Sequence, residues 1–256
     1  MFLALAIHNP SRNLLLNTQG VPMLKEELIK KSPVRILEKG IEGGLKSGNI
    51  GVIASKKGIG KTSVLVQLGL DKLMQGKKII HVSFTTHTSY VISWYENIFT
   101  EVAKRKNLEN FSDVHDELVK NRVIMNFNQE GVSTEQILKS LRAMVVEGGF
   151  KADAIIADGF DFSRAEPEHF NKISAFASEQ DLEFWYSCTM VGEEPLVDKN
   201  NVPMILRPFI KEIAVLIVLD SKPEYIHFVV VKDHGRMNPE DLTIKLDSKT
   251  LLIAEA

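Results

Sequence analysis

Apolar and polar positions along this 256-residue chain follow two alternating rhythms. Short runs such as "IGVIA", "KKIIHVSF", "RVIMNF", "ADAIIAD" and "LEFWYSCTM" have the length and β-branched content of buried strands. Longer stretches with helical apolar spacing separate them. "KTSVLVQLGLDKLMQ" predicts a helix that stops at Gly76, a C-terminal signal. "YVISWYENIFTEVAKRKN" predicts another, followed by a charged segment. "STEQILKSLRAMVV" opens with a capping box, Ser133 with Gln136, and ends at Gly148 and Gly149. "PEHFNKISAFASEQ" completes the series. Parallel neighbours need crossover helices, so this alternation predicts an α/β fold: a mostly parallel sheet with helices on both faces. Toward the end, "AVLIVLD", "YIHFVVVKD" and "LTIKLDSKTLLIAEA" are strands joined by short turns, which predicts an antiparallel C-terminal extension.

Residues 1–32 read as an N-terminal extension before a domain spanning 33–256. The extension holds apolar "MFLALAI", a polar "NPSRN" turn and a charged helix "MLKEELIKK" that stops before Pro33. "MFLALAI" lacks a basic leader region and a small-residue cleavage site, and is expected to be a packed strand. From Val34, "VRILEKGIEGGLKSGN" reads as a glycine-punctuated turn into the first strand.

Composition narrows the class. Apolar residues make up 44% and charged residues 25%, which fits a soluble globular protein and excludes a disordered chain. A net charge of −2 provides no broad basic field for nucleic acid. No apolar run reaches the roughly 20 residues of a membrane-spanning helix, so no membrane association is expected. The lone cysteine, Cys188, fits a reducing, cytoplasmic setting and reads as a buried, inert thiol.

Chemistry concentrates in "ASKKGIGKTS", between a predicted strand and a predicted helix. In a phosphate-binding loop, backbone N–H groups and a helix start surround the phosphates, a lysine adds positive charge and a hydroxyl ligates magnesium. Ser55, Lys56, Lys57, Gly58, Ile59, Gly60, Lys61, Thr62 and Ser63 form the candidate nucleotide site. Gly60, Lys61 and Thr62 are its chemical centre. Ser55 stands where the usual pattern has glycine and fits only if its φ is not positive. Lys56 and Lys57 are either solvated loop charges or extra phosphate contacts. Asp158, ending the apolar run "AIIAD", is the candidate second magnesium group beside Thr62.

With those motifs in view, the stretch from Val34 resembles the RecA-like ATPases, in the branch of KaiC, RadA and DnaB. "GIEGGLKSGNIGVIASKKGIGKTSVLVQLGLDKLMQGKKIIHVSF" and "IIAD" carry the resemblance, and "AVLIVLD…YIHFVVVKDHGR" is similar to the family's paired C-terminal strands. The resemblance implies a RecA-like P-loop NTPase fold, ATP and Mg2+ as ligands, and a homo-oligomer such as a hexameric ring or a filament. It also implies a KxR element reaching the nucleotide of an adjacent subunit. Lys232 fits its first position, His234 stands at the arginine's place, and Arg236 follows two residues later. The family's catalytic glutamate is expected after the second strand, where this chain has "SFTTHT", with Thr85 or Thr86 at that position. Neither hydroxyl is a general base near neutral pH. His87, Glu96, His234 and Arg236 are therefore the candidate catalytic residues. Three readings follow: a slow oligomeric ATPase, a nucleotide-binding regulatory or scaffold module without significant hydrolysis, and, from the resemblance alone, an ATP-dependent nucleic-acid motor or recombinase.

Overall fold

The computed structural model describes residues 23–84, 87–128, 131–239 and 242–255. Strands β1 (Ile50–Ser55), β2 (Ile79–Ser83), β3 (Arg122–Asn126), β4 (Ala154–Asp158), β5 (Glu183–Thr189) and β6 (Ile213–Ser221) are mutually parallel. Antiparallel additions follow: β7 (Tyr225–Asp233), β8 (Arg236–Met237), β9 (Ile244–Asp247) and β10 (Ile253–Glu255). The order across the sheet is β10-β9-β7-β6-β1-β5-β4-β2-β3, with β8 paired to β7. The expected parallel sheet with an antiparallel extension is thus what the chain forms.

Helices cover both faces. Helices α1 (Lys25–Lys30), α2 (Val34–Gly40), α3 (Lys61–Met74), α4 (Thr88–Lys106) and α5 (Phe111–Lys120) join one apolar cluster with Ile53, Ile79, Ile156 and Trp185. Helices α6 (Thr134–Arg142) and α7 (Pro167–Glu179) cover the other face, over Val52, Ile80, Ile155 and Tyr186. The period-2 alternation of side chains along each strand feeds these two clusters in turn.

Helix α3 is the axis of the first cluster. All of its residues except Thr62 are buried, the apolar ones in the core and the polar Asp71 and Lys72 through ion pairs to Arg35 and Glu183. Its approach depends on Gly69, where a Cβ would come within 2.5 Å of the Tyr95 hydroxyl and 2.7 Å of Ile156. The capping box at α6 forms as expected: Gln136 N–H donates to Ser133 Oγ at 3.2 Å, and Ser133 N–H to Gln136 Oε1 at 2.8 Å.

Two segments differ from the sequence pattern. Residues expected to be a turn form α2, because Val34, Leu37 and Ile41 recur at helical spacing and bury against the α3 side of the sheet. The described part of the N-terminal extension packs onto the domain: Leu28 is buried in the same cluster, and Met23 bridges Leu108. "MFLALAI", Thr85 and Thr86 lie outside the described residues.

Candidate functional site at the C-terminal edge of the parallel strands

The loop of residues 55–60 leaves β1 and turns directly into α3. Ser55 is the last residue of β1, and its φ is not positive, which meets the condition for a serine there. Gly58 and Gly60 take the left-handed values, φ +83° and +108°. At Gly60 a Cβ would also lie 2.6 Å from Leu246, so glycine is required by both backbone and packing. The first N–H groups of α3 have no acceptor within the helix and open toward the loop.

Lys61 folds back over this loop. Its Nζ donates to Ser55 O at 3.3 Å, Ser55 Oγ at 3.2 Å and Lys56 O at 3.1 Å, and the residue is buried. Burial lowers its pKa, with nearby negative charge opposing the shift. The adjacent Cys188 is itself pushed up to about 12 by burial. It is a neutral thiol at neutral pH, so the opposing charge is Asp158. Cys188 is fully buried, in keeping with the inert reading.

Thr62 and Asp158 meet, although 96 residues separate them. Thr62 Oγ1 donates to Asp158 Oδ2 at 2.8 Å. A hydroxyl and a carboxylate at one point are hard oxygen donors, and this chemistry fits Mg2+ rather than a softer metal. The fit of Mg2+ rests on that donor pair and on the lysine beside it.

The remaining candidates divide. Ser63 turns its hydroxyl away from the loop, donating to Leu251 O at 2.6 Å, and ties the C-terminal hairpin to α3. Lys56 pairs with Glu194 at 2.9 Å in the segment after β5, and Lys57 is exposed. His87 is the exposed residue preceding α4. Glu96 lies toward the opposite edge: it contacts His115 at 2.6 Å and Arg122, the first residue of β3, at 3.4 Å. Antiparallel pairing carries Lys232, His234 and Arg236 to that opposite edge as well, since Asp233 pairs with Val215, which pairs with Gly51 near the start of β1. There Lys232 donates to Ile210 O at 2.6 Å. His234 Nδ1 lies 2.7 Å from the fully buried Asp233, while Arg236 bonds Asp233 and reaches Glu42 at 3.2 Å.

Several residues at this edge were missed by the sequence reading. Ser187 accepts the N–H of Gly159 at 2.8 Å, just past Asp158. Ser83 pairs in register with Asp158, and Thr189 with Ser55. Two residues before Ser83, buried His81 contacts the Tyr95 hydroxyl through Nδ1 at 3.2 Å, and its Nε2 has no partner among the described residues. Burial lowers its pKa to about 4, with Asp158 opposing. A visible signal existed, because "IGVIAS", "IIHVS", "RVIMN" and "AIIAD" each end in a polar residue. Aligned by parallel pairing, these ends make one polar rim.

Among known proteins, no family model and no curated protein matches this chain.

Proposed function

We propose that this protein is a RecA-like P-loop protein that binds Mg·ATP at the C-terminal edge of its parallel strands. One observation carries the reading: the buried Lys61 amine curls over the loop of residues 55–60 while, on the next residue, Thr62 meets Asp158 at 2.8 Å. Lys61 would exchange its loop carbonyls for phosphate oxygens. Ligands of open α/β sheets bind at this edge. Thr62 and Asp158 would hold Mg2+, which, when bound, neutralises phosphate charge. The loop amides, the start of α3 and Lys61 bind and orient the phosphates, and Ser55 keeps the lysine directed into the loop. Calorimetric titration with Mg·ATP, repeated without Mg2+, tests the reading. Failure to bind any nucleoside triphosphate at millimolar concentration refutes it.

Hydrolysis, if it occurs, is slow in this reading, and the scaffold alternative has a specific observation in its favour. Glu96 is engaged with His115 and Arg122, and Arg236 with Asp233 and Glu42, so neither is disposed toward the loop of its own chain. A homo-oligomer using Arg236 at a neighbour's nucleotide would have to break its contacts to Asp233 and Glu42. Robust ATP turnover lost in Asp158→Asn would reject the scaffold alternative.

A further inference from the structure

The Thr62–Asp158 contact depends on how the end of β4 is held. Among the described residues Thr62 is the one hydrogen-bond partner of the Asp158 carboxylate, so the direction of that carboxylate rests on its backbone. Pairing between β4 and β5 ends at Ala157 and Tyr186, one residue short of Asp158. The peptide that follows Asp158 is nevertheless fixed on both sides. Its carbonyl, Asp158 O, accepts the N–H of Phe84 just past β2 at 2.9 Å, and its N–H, on Gly159, donates to Ser187 Oγ from β5 at 2.8 Å. A side chain takes over where the backbone ladder stops. The chain then turns away through Gly159, at φ +82°.

Ser187 suits this task by position and by surroundings. It lies two residues beyond Trp185, whose side chain belongs to the α3 cluster, so its own side chain is on the α3 face of the sheet. Only 2% of it is exposed, which makes water a poor substitute for its oxygen. A hydroxyl also accepts an N–H without adding charge, leaving the negative charge of the corner to Asp158. We propose that Ser187 is a positioning residue for the Mg2+ pair, acting through the Asp158–Gly159 peptide to keep the carboxylate directed at Thr62. The assignment rests on the Mg·ATP reading above. Its role is to aim a ligand, as the outer partners of metal ligands do.

Three variants of the full chain test this. Ser187→Ala removes the hydroxyl, while Ser187→Thr and Ser187→Val share one shape and differ by that hydroxyl. In the unliganded protein, exchange of the Gly159 amide, read by NMR, should be roughly tenfold faster in Ser187→Ala and Ser187→Val than in Ser187→Thr. Calorimetry with ATP, with and without Mg2+, reads the site itself. Ser187→Ala and Ser187→Val should lose roughly tenfold of the affinity that Mg2+ adds and keep Mg2+-free affinity within about twofold, while Ser187→Thr retains the gain. A full Mg2+ gain in Ser187→Ala and Ser187→Val would overturn the positioning role. So would equal weakening with and without Mg2+, which marks a purely structural hydrogen bond, or a Ser187→Thr that behaves as Ser187→Val does. Wild-type protein that binds ATP equally well without Mg2+ would overturn the metal reading itself, and this assignment with it.

Discussion

Replacing Lys61 by methionine separates binding from folding. The side chain keeps its buried stem and loses only the amine. That amine makes three contacts, all to residues 55 and 56 of its own loop, at 3.1 to 3.3 Å. Burial outweighs the nearby negative charge in setting its lowered pKa, so the charged amine gains little net stability from its place. We expect Lys61→Met to change unfolding free energy by no more than about 1 kcal/mol in urea titrations. Binding should respond very differently. Two charge-assisted hydrogen bonds to phosphate, at roughly 1.5–3 kcal/mol each, correspond to at least ~10²-fold weaker Mg·ATP affinity. Isothermal titration on both proteins reads the difference. Affinity within threefold of wild type would refute the phosphate role of Lys61, and a stability loss of several kcal/mol would refute the account of its burial.

Other predictions concern the metal pair, the buried histidines and the sheet. Thr62→Val with Asp158→Asn should leave residual ATP binding that no longer depends on Mg2+, as read by titration with and without the ion. His169, between Thr134 and Tyr186 at 2.9 Å each, is held neutral by burial, its pKa lowered to about 4 from 6.5. Protons therefore favour the unfolded chain: stability is full above pH 6.5 and falls by up to roughly 3 kcal/mol as pH drops to 4, with His81 acting in the same direction. His169→Gln should flatten that decline in urea titrations across pH. Gly51→Ala puts a Cβ 2.5 Å from the Trp185 ring and should cost about 1–3 kcal/mol by chemical denaturation.

Local signals determined much of this protein. The β1 strand, loop and α3 were legible because glycine, lysine and helical spacing act over a few residues, and the capping box at Ser133 is equally local. Apolar "AIIAD" marked Asp158, and strand–helix alternation fixed the parallel sheet and its antiparallel end. Helix α2 was hidden because its glycine-rich flank outweighed the apolar spacing of Val34, Leu37 and Ile41, which only burial on the α3 side rewards.

Tertiary structure alone decided who meets whom. Thr62 touches Asp158 because α3 crosses the sheet, and Ser187 joins them because β5 pairs between β1 and β4. The KxR-like residues carry the opposite lesson. Their spacing along the chain says nothing of strand direction, and the antiparallel return of β7 takes Lys232, His234 and Arg236 to the far edge of the sheet. Sequence spacing specifies contacts within a helix or a strand, whereas contacts between strands depend on their order and direction, which the packing of the whole sheet sets.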